Sequence, residues 1–146
     1  MEELEVEVRT AEGARLPLYL TEGASGMDLF AHLEEEIELR PFERRLIPTG
    51  VYLSIPEGYE AEIRPRSGLA FEHGLTVLNA PGTVDSDYRG EVKVLLINLG
   101  DGPVRIKRGD RIAQIVFKRV VKARLKQTEV LSRTARGEGG FGSTGL

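Results

Sequence analysis

VYLSIPEGYEAEIR, residues 51–64, decides the fold class. Val51, Leu53 and Ile55 alternate with Tyr52 and Ser54, and beyond the Pro56–Gly58 break the alternation resumes at Tyr59, Ala61 and Ile63. A period of two puts one set of side chains on one face of a pleated strand, so the stretch reads as two half-buried strands. Leu4, Val6 and Val8 repeat the pattern near the N-terminus. The runs VKVLLINL (92–99) and RIAQIVF (111–117) are more continuously apolar, which predicts strands covered on both faces, some of them by a second subunit. Seven prolines and seventeen glycines punctuate the chain at the rhythm of a sandwich or barrel, about one turn every eight to twelve residues. The expected architecture is all-β: a jelly-roll-like β-sandwich or distorted barrel. SGLAFEHG (67–74) is the helical exception, with Ser67 as its cap and Gly74 as its end.

Composition narrows the chemistry. A chain of 146 residues suits one domain with one core. No run approaches the roughly 18 apolar residues of a membrane helix, and MEELEVEVR is acidic where a signal peptide is basic. A cytoplasmic protein with no membrane partner is expected. With no cysteine, and with His32 and His73 isolated, neither a disulfide nor a zinc centre can be assembled. A net charge of −3 argues against a broad basic face and hence against a nucleic-acid partner. An anionic ligand must instead be held by a few local cations.

Five punctuated segments carry candidate chemistry. GTVDSDYRG (82–90) places Asp85, Asp87 and Tyr88 between glycine turns, which offers a base and a flat ring, although a plain hairpin carries the same residues. In PRSGLA (65–70), Ser67 presents a hydroxyl beside free backbone N–H groups, and Arg66 adds a forked donor suited to phosphate. Taken alone, that pattern favours plain helix capping. SGMDLFA (25–31) supplies Asp28 after a turn at Gly26; an aspartate there satisfies turn backbone or orients water around Mg²⁺. RGDRIAQ (108–114) leads into an apolar strand and offers Arg111 and Gln114, the arginine equally suited to a structural ion pair. RGEGGFGSTG (136–145) holds five glycines with Arg136, Phe141, Ser143 and Thr144. It reads as a disordered tail or as a strap that grips phosphates and covers a ring.

In this order the five segments resemble the trimeric deoxyuridine triphosphatases, from about Gly23 to Leu146. The resemblance implies Mg²⁺-assisted hydrolysis of dUTP to dUMP and pyrophosphate by water attack on the α-phosphate. That reaction lowers dUTP, preventing uracil incorporation into DNA, and supplies dUMP for thymidylate synthesis. It also implies a homotrimer with shared active sites. Residues 1–146 then form one domain, a β core at 1–132 and an arm at 133–146 that completes a neighbouring subunit's site. By the same resemblance Asp85 aligns and activates water and meets the sugar 3′ hydroxyl, while Tyr88 packs on the deoxyribose. Asn79 and the backbone at Thr83 and Val84 hold uracil, with Lys93 nearby. Arg66, Ser67, Gly68 and Gln114 contact phosphates, and Asp28 approaches the metal through water. On the arm, Arg136, Ser143 and Thr144 take the terminal phosphate and Phe141 covers the base. Ser25 and Val84 depart from the family's commoner alanine and isoleucine. The alternatives are a dCTP deaminase of the same fold, which needs a glutamate where this chain has Leu95, and a non-catalytic jelly-roll nucleotide-binding protein.

Overall fold

The alternation at residues 51–64 becomes two strands, β4 (Arg44–Ser54) and β5 (Tyr59–Arg64), with Val51, Leu53, Ala61 and Ile63 buried. The computed structural model describes every residue from Met1 to Leu146. The other strands are β1 (Glu7–Thr10), β2 (Met27–Phe30), β3 (Ile37–Leu39), β6 (Leu75–Val77), β7 (Gly82–Val84), β8 (Glu91–Asn98), β9 (Val104–Ile106) and β10 (Arg111–Arg119). They form two four-stranded antiparallel sheets, β1-β4-β8-β6 and β2-β10-β5-β7, plus the pair β3-β9. Leu29, Ile63 and Ile115 from one sheet and Ile47, Val94 and Leu96 from the other share one core with Leu39 and Ile106. The fold is all-β, with a jelly-roll sandwich and a single short helix, as the punctuation predicts.

Three local expectations meet the structure differently. Within this one chain β8 is covered on one face: Val92, Val94, Leu96 and Asn98 are buried, whereas Lys93 is exposed and Leu95 and Ile97 are half-buried. Within one chain only the core face has a sheet against it, so apolar residues on the other face stay open, joined there by Leu46 at 56% exposure. Central β10 comes closer to the expectation, burying Ile112, Ala113, Ile115 and Val116. At the N-terminus the alternation holds for Leu4 and Val6, which are half-buried between exposed acids with Val6 packed on the core, but not for Val8, which lies with the other three residues of edge strand β1 in the open. Ser67 is not the cap of α1 (Ser67–His73). Arg66 occupies that position with extended backbone, and no side chain bonds the first turn. Gly74 ends the helix as expected, at φ 69° in the left-handed region.

Two polar devices hold the sheet that carries the site. β4 is irregular between Pro48 and Val51, where the register against β8 shifts. The backbone groups released there are met by side chains: Thr49 Oγ1 donates to the Val92 carbonyl and accepts from Val51 N–H at 3.2 Å, and Gly50 N–H donates to Glu91 Oε2 at 2.8 Å. Such a bulge bends a strand without leaving orphaned donors. At the far end of β8, fully buried Asn98 donates to the carbonyls of Leu39 and Gly102, both at 2.9 Å, and accepts from Gly100 N–H at 2.8 Å. That one amide ties β8 to β3 and to the loop before β9.

Candidate active site

A cleft of about 420 Å³ opens where β7 and the turn after it meet β8. Asn79, Thr83, Val84, Asp85, Tyr88 and Lys93 all line it, so six of the expected nucleoside contacts converge in one chain. The convergence follows from register. β7 pairs with β5 through Ala61–Val84, Glu62–Thr83 and Ile63–Gly82, which brings the hairpin segment alongside a core strand. The backbone at Gly82 packs closely there: a Cβ at that position would stand 3.1 Å from Asn79 Nδ2 and 3.4 Å from Ile63 Cβ. After Val84 the chain turns, with Tyr88 N–H donating to the Asp85 carbonyl at 3.2 Å. The Asp85 carboxylate is exposed in the cleft and makes no hydrogen bond or ion pair with the rest of the chain. It is a charge with no structural task.

The cleft also contains residues that sequence reasoning passed over. Leu46, Ile63, Val92 and Leu95 give it an apolar floor, and Glu91 stands at its rim with its side chain locked to the β4 bulge. Leu95 occupies the position at which the deaminase reading requires a glutamate. Because Glu91 is one acid at the head of an apolar run, only the bulge on β4 reveals its role.

A second cluster forms where β2, β10 and the start of α1 meet. Asp28, with 13% of its side chain exposed, lies 3.6 Å from Arg66 Nε and 3.4 Å from Arg111 Nη1. Arg66 Nη1 also donates to the Arg111 carbonyl at 3.1 Å. Arg111 is thus an ion-pair partner, the plain alternative that its sequence left open. Gln114 sits opposite Asp28 in the β2–β10 ladder, and its Nε2 donates to the Pro65 carbonyl at 3.1 Å. Gly26 lies under this side chain: a Cβ there would come 3.2 Å from both Cβ and Cδ of Gln114. Three separated sequence segments are pinned together in this way, and Ser67 and Gly68 stay exposed beside them. The cluster pairs two guanidinium groups with one carboxylate, so it keeps a net positive charge suited to phosphate oxygens.

The β7–β8 cleft and the cationic cluster are separate in one chain: none of Asp28, Arg66, Ser67, Gly68 or Gln114 lines the cleft. The glycine-rich end is apart from both. Its hydrogen bonds are local, including Arg136 Nε to the Gly139 carbonyl at 2.8 Å and Gly137 N–H to Thr134 Oγ1 at 3.0 Å, and Phe141 is fully exposed. Regular structure stops at Arg119, and residues 121–138 are exposed throughout.

A jelly-roll sandwich with an apolar-floored cleft, an unpaired carboxylate and a separate arginine cluster has parts that suit a nucleotide-binding protein. Comparison with known proteins narrows it. The dUTPase family model matches residues 12–145, and the chain belongs to that family. A deoxyuridine 5′-triphosphate nucleotidohydrolase of Mesorhizobium japonicum is 61% identical over 137 residues, covering 92% of this chain and 85% of that protein. Its counterpart in Thermoanaerobacter is 54% identical over 136 residues, covering 93% and 92%. Among solved structures, the dUTPase of Staphylococcus bacteriophage 80alpha with dUPNHPP matches at TM-score 0.89 and 30% identity over 97% of this chain and 99% of that one. A mutant dUTPase from phage phi11 of S. aureus, in which a structural Mg(II) ion is coordinated, matches at TM-score 0.78 and 27% identity over 86% and 97%.

Proposed function

We propose that the chain hydrolyses dUTP to dUMP and pyrophosphate, with the β7–β8 cleft holding the deoxyuridine and the Arg66 cluster the phosphates. The single observation that carries the assignment of parts is the convergence of Asn79, Thr83, Val84, Asp85, Tyr88 and Lys93 on one cleft. Asp85 orients the attacking water and takes its proton. The absence of any competing partner supports this role, because a carboxylate spent on an ion pair is a poorer acceptor. Tyr88 packs against the sugar, and Asn79 with the backbone at Thr83 and Val84 reads the base edge. A cytosine edge reverses donor and acceptor and leaves buried groups unpaired, at about 1–3 kcal/mol each.

Water attack on phosphorus depends more on in-line placement and charge neutralisation than on a strong base. Arg66, Ser67, Gly68 and Gln114 supply donors for the phosphates. A hydrated Mg²⁺ fits the residues present. The structure gathers no group of three His, Cys, Asp or Glu side chains into a cage, and Mg²⁺ characteristically borrows phosphate oxygens, waters and one or two carboxylates. Asp28 keeps lone pairs beyond its two long arginine contacts, so it can accept from a metal-bound water. The ion, when bound, contributes charge neutralisation on the triphosphate.

The separation of the two clusters supports a homotrimer in which one subunit's cleft faces another's cations. The arm of residues 133–146 then closes a neighbour's site, with Arg136, Ser143 and Thr144 on the terminal phosphate and Phe141 over uracil. In this reading the enzyme works in the cytoplasm, keeping dUTP out of DNA synthesis and supplying dUMP for thymidylate. No helix is long and apolar enough to cross a membrane. The test is pyrophosphate release from dUTP, UTP, dCTP and dTTP, with and without Mg²⁺. Release confined to dUTP with the metal present is expected. Comparable release from all four, or ammonia from dCTP, overturns the reading.

A further inference from the structure

Tyr88 is held at more than one point, and one of the restraints is a missing atom. Its hydroxyl donates to the Glu91 carbonyl at 2.7 Å, folding the ring back over Gly90. A Cβ built on Gly90 would stand 2.5 Å from the Tyr88 hydroxyl, 2.6 Å from Cζ and 2.8 Å from Cε1. These three nearest atoms all belong to one ring. Gly90 is not among the residues with positive φ, so its backbone does not itself demand glycine, and the nearest obstacle to a Cβ is the Tyr88 side chain. Glu91 is itself fixed, because its carboxylate receives Gly50 N–H across the β4 bulge. At its other end the residue is tied by Tyr88 N–H to the Asp85 carbonyl.

We propose that Gly90 and the Glu91 carbonyl are positioning elements that set the plane of the Tyr88 ring and thereby the enzyme's discrimination against ribose. The inference rests on the reading that Tyr88 packs against the deoxyribose. A ring seated down on Gly90 occupies the space that a 2′ hydroxyl requires. An alanine at 90 lifts the ring, breaks its hydrogen bond to Glu91 and changes the shape of the sugar pocket while leaving Asp85 and the cationic cluster in place. The groups argued to set the ring, Gly90 and the Glu91 carbonyl, lie within three positions of Tyr88.

The test is the ratio of kcat/KM for dUTP to that for UTP in full-length Gly90→Ala, Tyr88→Ala and the double variant, with Tyr88→Phe as a fourth protein that leaves the backbone at 90 untouched. Gly90→Ala is expected to lower the ratio at least about tenfold, within the range a pocket gains or loses from one misplaced group. It is expected to have no further effect once Tyr88 is gone, because the two act as one unit. Tyr88→Phe is expected to lower the ratio by less, having lost only the Glu91 tie. If Tyr88→Ala leaves the ratio unchanged, the sugar-packing reading fails. If Tyr88→Ala lowers it but Gly90→Ala and Tyr88→Phe do not, the positioning role is overturned with that reading intact. An equal loss from Gly90→Ala with and without Tyr88 overturns it as well. Should Gly90→Ala not fold, Tyr88→Phe alone decides, and an unchanged ratio there counts against the proposal.

Discussion

If Asp85 activates water as proposed, Asp85→Asn should separate catalysis from folding. The carboxylate is exposed, engages no arginine or lysine and accepts no side-chain or backbone hydrogen bond. Exchanging one of its oxygens for an amide nitrogen therefore removes no folded-state contact, and stability should move by no more than about 0.5 kcal/mol. Catalysis should respond differently. General-base assistance is typically about 10²–10⁴-fold, which at 1.36 kcal/mol per decade amounts to about 2.7–5.4 kcal/mol of transition-state stabilisation. Because the residues proposed to contact the nucleoside, Asn79, Thr83, Val84 and Tyr88, are untouched, the loss should fall on kcat with KM nearly unchanged. Steady-state pyrophosphate release from dUTP gives the kinetic half, and urea unfolding at fixed protein concentration gives the other. A kcat within about tenfold of the parent would remove Asp85 from the water-activating role. An activity loss that tracks a comparable loss of stability would make it structural.

Other outcomes follow from the packing. Asn98→Ala should destabilise by about 3–5 kcal/mol in urea unfolding, since it strands two carbonyls and one N–H at about 1–3 kcal/mol each, two of the three only partly buried; a change below about 1 kcal/mol would refute the tie. Gly74→Ala should lower the melting temperature, because φ is 69° and the new Cβ would lie 2.5 Å from the Gly100 backbone nitrogen, with no side chain able to yield. Deleting residues 133–146 should leave the far-ultraviolet dichroism of the β core intact, as no buried residue lies beyond Val116, yet abolish turnover; retained turnover would free the arm of any catalytic part. Near the N-terminus, the Arg119 hydrogen bond, reinforced by Tyr59, holds the Glu2 carboxyl below its ordinary value of 4.5. Its folded pKa is depressed, so the tie is present above that value and is lost as pH falls below 4.5 through the folded pKa. The Tyr59 ring resonances should shift over that acid range in the parent and stay flat in Glu2→Gln.

The strands were legible because period two is a local property. Val51, Leu53, Ala61 and Ile63 are buried wherever the chain goes, provided one face of each strand finds a core. The five motif segments could be picked out because glycine and proline mark turns whatever packs against them. On β8 the apolar run does not say which of its faces the same chain covers. Leu95 and Ile97 lie on a face that this chain leaves half open.

Pairings between distant segments stayed hidden. Glu91 gained its place only when the β4 bulge released the Gly50 N–H, and Gly26 its purpose only when β10 brought Gln114 across to it. Arg111 could be a ligand or a counter-ion until the β2–β10 register set it against Asp28. Alternation, turn residues and candidate side chains are written along the chain, because each depends on neighbours a few positions away. Which side chain Arg111 pairs with and which glycine makes room for Gln114 depend on residues tens of positions apart, and only the packed sheets bring those together.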